Sequence, residues 1–194
     1  MRALVTLALI VILSLAFGTA SGAPKPAAPK PSPTATPNPT VAALSRASGA
    51  QFDVAFMREL IPVHEEAIEV AYAATLNADH PELLQWNQRM IDRKSGQVKQ
   101  MLTFLQEAGA APGRRNASVV TDGVKKMRSL RGPALERAYL PMIIAHLEQS
   151  TALARLAVTK ATKKELRDLA QTVVRIESAE TAMLRGWLKA WYGR

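Results

Sequence analysis

FDVAFMRELIPVHEEAIEVAYAAT, residues 52–75, lies over LERAYLPMIIAHLEQSTALARLAV, residues 135–158, without a gap. The register continues through HPELLQWNQRMI (80–91) over KKELRDLAQTVV (163–174) and MLTFL (101–105) over LRGWL (184–188). Residues 52–105 and 135–188 therefore superpose at a constant offset of 83, and 11 of the 54 pairs are identical. Many of the remaining pairs exchange one apolar residue for another. A repeated helix pair of this length predicts an all-α four-helix bundle made of two helical hairpins with an internal pseudo-twofold.

The periodicity inside each repeat is helical. With Phe56 at zero on a 100° wheel, Leu60, Val63, Ala67, Val70, Ala71 and Ala74 form one stripe, while Arg58, Glu59, Glu65, Glu66 and Glu69 fill the other side. Tyr139, Ile143, Leu147, Leu153, Ala154 and Ala157 repeat the stripe. The predicted helices are 48–77, 80–108, 132–161 and 163–191. The second is expected to bury Leu84, Ile91, Val98, Leu102 and Leu105, and the fourth Leu166, Ala170, Val173, Val174, Leu184 and Leu188. Between the first two, Asp79 is the expected cap and Pro81 suits the first helical turn. Thr162 with Glu165 reads as a capping box for the last helix. The stretch 110–131 reads as a connecting loop.

Outward from the repeats, MRALVTLALIVILSLAFGTA (1–20) has one basic residue, an apolar run of about 15 and then small residues, which fits a cleaved secretory signal with its cut between 20 and 23. The run is short for a membrane span, which needs roughly 20; an uncleaved anchor is the alternative. Residues 21–47 form a linker whose segment PKPAAPKPSPTATPNPT (24–40) holds seven prolines, an extended spacer. Residues 48–194 then form one domain. With no cysteine there is no disulfide, lipid-modified thiol or thiolate metal site. An exported chain is expected, secreted or held in the periplasm or cell envelope.

The formal net charge of +9 is uneven. Residues 110–134 carry six Lys/Arg against one acid, in Arg114, Arg115, Lys125, Lys126, Arg128 and Arg131. This stretch suits contact with an anionic envelope surface. Nucleic acid is not an expected partner, because the basic residues are scattered and no reading motif accompanies them. No Ser/His/Asp set, Gly-rich phosphate loop or HExxH pattern is present, so no enzymatic activity is expected.

Of three histidines, His64 falls at about 80° within the first apolar stripe and His146 at about 340° within the third, so both point inward; His80 falls in a turn. Two inward imidazoles on facing helices can converge on a metal, or each can be a core residue bonded to a neighbour. Glu177 lies on the inner face of the last helix, and its repeat mate is Lys94, so a pseudo-twofold would bring the two together as an internal ion pair. Di-iron bundles need a Glu three residues before each inward His; Ile61 and Ile143 stand there instead.

The segments Phe56…Ile61-Pro62…His64…Ala67-Ile68…Ala71, Met90-Ile91…Gln97-Val98…Met101…Phe104-Leu105, Tyr139…Met142-Ile143-Ile144-Ala145-His146 and Val173-Val174…Glu177…Glu180…Trp187-Leu188 resemble the domain of unknown function 305 family over roughly residues 48–191. The resemblance implies a ferritin-like four-helix bundle, usually exported, with copper or another metal bound by His-His pairs and Met in some members. This chain keeps only one His of each pair: Val63 precedes His64, and Leu147 follows His146. The paired methionines have become Glu59 and Leu60 in one half and Met142 and Ile143 in the other. The metal candidates are His64 and His146, with Met142, Glu177 and Glu180 as helpers. The expected function is that of an exported bundle with a weak or vestigial site for copper or another divalent metal; the alternative is a non-metal structural or interaction module of the cell envelope.

Overall fold

The computed structural model describes residues 39–113 and 121–193. The signal sequence, most of the proline-rich linker, Arg114 and Arg115 lie outside the described residues. Among the described residues six helices follow one another: α1 (Pro39–Leu44), α2 (Gly49–Thr75), α3 (Pro81–Glu107), α4 (Asp122–Ser129), α5 (Gly132–Lys160) and α6 (Lys164–Tyr192). The four long ones fall where the repeat places them, and no strand occurs among the described residues. The chain is an all-α, ferritin-like bundle in which α2–α3 and α5–α6 are the two hairpins.

Two short helices were not expected. Helix α1 lies at the end of the stretch read as linker, and its Leu44 is buried in the core. Helix α4 lies in the stretch read as a loop. Thr121 starts it by accepting the Val124 N–H at 3.3 Å, and Val124 and Met127 are its buried residues.

Neither expected cap forms. The carboxylate that closes the α2–α3 turn comes from the other hairpin: Glu136 Oε1 accepts the N–H groups of Asp79 (2.7 Å) and His80 (2.8 Å). At the opposite end Asp53 accepts the N–H of Thr162 (2.9 Å) and of Lys163 (3.1 Å), and the Thr162 hydroxyl (2.5 Å) that was expected to cap the helix itself. Asp53 and Glu136 are repeat mates, as are the turns they close, so each hairpin caps the other's turn. A helix leaves the N–H groups at its start without intrahelical partners, and these two carboxylates satisfy those of the N-cap residues His80 and Lys163 and of the residue before each. Gly132 lets the start of α5 approach the same turn. Its φ of +51° lies in the left-handed region, and a Cβ would stand 2.7 Å from Asp79 Oδ2.

The apolar side chains form two clusters. One holds Phe52, Phe56, Leu60, Met101, Leu105, Leu153, Ala157, Leu166 and Val173. The other holds Val70, Ala74, Leu83, Trp86, Met90, Tyr139, Ile143, Leu147 and Leu184. Both lie within the described residues, so this domain carries its own core. Of the residues expected inside α3, Ile91, Val98 and Leu105 are buried, while Leu84 is half-buried and Leu102 is 38% exposed; Leu83, Trp86, Met90 and Met101 complete the inner face.

Candidate metal centre

The two clusters are separated by a polar layer to which all four long helices contribute. It holds His64 from α2, Lys94 and Gln97 from α3, Ser150 from α5 and Glu177 from α6. His64, Lys94, Ser150 and Glu177 are fully buried. Along each helix these residues fall between the residues of one apolar cluster and those of the other.

Lys94 is the hub. Its Nζ donates to Glu177 Oε1 at 2.5 Å and to His64 Nδ1 at 3.2 Å, and the Ser150 hydroxyl donates to Glu177 Oε2. Lys94 and Glu177 are repeat mates, and equivalent positions can touch only on the pseudo-twofold axis, so the expected internal ion pair forms on that axis. Burial pushes the Lys94 pKa down, and the Glu177 carboxylate pulls it back up. A buried pair of this kind adds little net stability, because desolvating both charges offsets their attraction.

An ammonium has no acceptor, so His64 Nδ1 must be the accepting nitrogen and Nε2 carries the proton. Burial, and next the Lys94 charge, hold the His64 pKa well below its ordinary value; Gln97 raises it in part. His64 Nε2 and Gln97 Oε1 nonetheless close no hydrogen bond. His64 thus has one lone pair, and Lys94 uses it. A cation bound between His64 and Glu177 would compete with an ammonium already standing there. The interior does not fit a metal ion.

The other candidates are placed elsewhere. Glu180 accepts from Arg93 at 2.6 Å, and its pKa is raised by burial while Arg93 draws it down. Met142 packs its sulfur against α4, 3.1 Å from where a Cβ on Gly123 would lie. His146 is half-buried, and its pKa is lowered by burial, with Glu66 opposing and Lys94 reinforcing the shift. Met142 and His146 are four residues apart on α5 and share a face. The structure therefore gathers His64 and Glu177 around Lys94, and leaves Glu180, Met142 and His146 with other neighbours. Among the described residues no three His, Cys, Asp or Glu side chains converge as a metal site. Ser150 was missed in the sequence because its repeat mate is Ala67 and a lone serine carries no signal.

The neutral His64 has a thermodynamic consequence. Below about pH 6.5 the unfolded chain binds a proton at this ring that the folded chain refuses, so stability falls as pH drops through 6.5. The expected slope is up to about 1.4 kcal/mol per pH unit, and His146 acts in the same direction. Urea unfolding at pH 7.0, 6.0 and 5.0 measures it. In His64→Leu, which copies the repeat mate Leu147, most of the slope between pH 6.5 and 5.0 should disappear.

A repeated pair of hairpins crossing at a buried polar layer, with one inward histidine per half, defines a two-fold repeated ferritin-like bundle. The chain belongs to the domain of unknown function 305 family, whose profile matches residues 16–105 and again 107–188. Among solved structures it is similar to CopM in its Cu(I)-bound form, with a TM-score of 0.65 at 24% identity over 72% of this chain and 97% of that one. It is similar also to a putative secreted protein of the family from Streptomyces coelicolor, with TM-score 0.65, 20% identity, and 71% and 92% of the two chains covered. A family fragment from Deinococcus radiodurans gives TM-score 0.65 at 18% identity, covering 74% and 98%. At these identities the likeness is one of fold. No curated protein matches the chain. No helix among the described residues is long and apolar enough to cross a membrane.

Proposed function

We propose that this protein is an exported, non-enzymatic bundle whose interior metal position is vestigial, and that it binds a soft metal ion such as Cu(I) weakly through His146 and Met142. The observation that carries this reading is the place of Lys94 Nζ, between His64 Nδ1 and Glu177 Oε1 at 3.2 and 2.5 Å. It removes His64 and Glu177 from any ligand set. What remains is one imidazole and one thioether a helical turn apart. Burial keeps the His146 ring neutral at neutral pH, the form that can donate a lone pair, and a thioether suits Cu(I). Glu66 faces His146 and supplies negative charge beside it. The copper-bound form of CopM, similar in fold, supports the choice of metal.

Cu(I) titration against a chromogenic chelator tests the reading. Weak binding in the wild type should fall at least about tenfold in His146→Ala and in Met142→Leu, and stay unchanged in His64→Leu. Absence of binding in the wild type, or a loss of affinity in His64→Leu, would contradict it.

A further inference from the structure

Three large apolar side chains are exposed among the described residues, and two of them, Tyr72 (56%) and Leu76 (87%), line a single groove. They stand one helical turn apart at the C-terminal end of α2. Ala73, Val124, Arg128 and Arg131 line the same groove. The groove holds about 650 Å³. Isolated exposed apolar residues are ordinary on a protein surface. A pair on one helical face, set beside a cluster of cations, is not.

Helix α4 supplies the cations. It turns Val124 and Met127 inward and leaves Lys125, Lys126 and Arg128 on its exposed side. The Arg131 guanidinium is fixed at the groove by donating to the carbonyls of Arg128 (2.9 Å) and Leu130 (2.8 Å). Three carboxylates lie close by, the first being Asp79, which stands against Gly132 beside Arg131. Asp122 is engaged by Lys125 at 3.4 Å, and Glu69 lines the groove. Cations remain in excess on this face.

We propose that the end of α2 and helix α4 dock reversibly on an anionic lipid bilayer, with Leu76 and Tyr72 entering the interface and Lys126, Arg128 and Arg131 meeting headgroup phosphates. Each half of the surface has its counterpart there. Basic side chains are drawn to an anionic leaflet, and a tyrosine with an adjacent leucine suits the boundary between headgroups and acyl chains. A soluble polyanion would use the cations and leave the apolar pair in water. The inference does not depend on metal binding.

The test uses the chain from Ser21 onward, which contains the whole described domain and lacks the leader. Vesicles of phosphatidylcholine are compared with equimolar phosphatidylcholine and phosphatidylglycerol by co-sedimentation. Binding should require phosphatidylglycerol and weaken with added salt. It should fall about tenfold in Leu76→Gln and about thirty-fold in Lys126→Gln/Arg128→Gln, roughly fivefold for each cation lost. Since the chain has no cysteine, Leu76→Cys takes a single environment-sensitive fluorophore. Its emission should shift to the blue on the anionic vesicles, while the same label at Leu102→Cys on α3 should not shift. No binding to anionic vesicles, equal binding by Leu76→Gln, a shift at position 102 as large as at 76, or equally strong binding to soluble polyphosphate would each overturn the proposal.

Discussion

Replacing Lys94 by Met is expected to destabilise the protein by about 3–5 kcal/mol, a fall in Tm on the order of 10 °C. The side chain is fully buried, and its loss strands the Glu177 carboxylate in the core with only Ser150 as donor. Glu177→Leu should cost a similar amount by stranding the ammonium. The double substitution should not add the two losses. With both charges gone, His64 Nδ1 loses a donor and the Ser150 hydroxyl keeps the Leu147 carbonyl at 3.1 Å, so no charge is stranded and the double variant should lie within about 1–2 kcal/mol of the wild type or above it. Urea unfolding of the four proteins gives the coupling energy directly. Additive losses would mean that the two side chains do not form a pair in solution.

The second large effect is expected at Glu136. Its carboxylate accepts from Asp79 N, His80 N, the His80 ring at 2.5 Å and the Tyr192 hydroxyl at 2.5 Å. Burial alone would raise its pKa, but those hydrogen bonds hold it below the usual carboxylate range. Glu136→Ala leaves two backbone donors without partners and cuts α6 loose at its C-terminal turn. The expected cost is about 2–3 kcal/mol, toward the lower part of the range for several charge-assisted bonds because His80 is one-third exposed and water can replace part of what is lost. The optical signature is specific. Trp191 stacks on His80 with ring centres 3.8 Å apart, and Trp187 stacks on Trp191 at 5.1 Å. Their fluorescence should shift to the red in Glu136→Ala under native conditions and stay nearly unshifted in Asp53→Ala, whose carboxylate closes the other turn. A red shift of equal size in both variants would count against this local account.

The four helices and their pairing were legible because the apolar stripe repeats in both halves, and the offset of 83 also exposed the Lys94–Glu177 contact. The caps were not legible. Asp53 and Glu136 look like ordinary polar positions on their own helices, and only the antiparallel packing of one hairpin on the other carries each to a turn more than fifty residues away. Helix α4 was hidden because eight residues with two apolar side chains give no periodic stripe. At the candidate site, both inward histidines were visible from the wheel, yet their difference was not. His64 sits in the middle of the packed layer and His146 at its rim, a distinction set by neighbouring helices. That Lys94 would reach His64 as well as Glu177 also depended on the height of α2 against α3.

The central claim is that His64 is bound internally by Lys94 and has no lone pair left for a metal. Long-range proton–nitrogen NMR of the imidazoles tests it most directly, since His64, His80 and His146 give only three ring systems to resolve. With Ag(I) as a diamagnetic stand-in for Cu(I), the account predicts a His64 ring that is neutral, protonated at Nε2 and unmoved by the ion between pH 8 and 6, while the His146 nitrogens shift. A His64 nitrogen that moves on adding Ag(I), or a ring that titrates near pH 6.5, would contradict it.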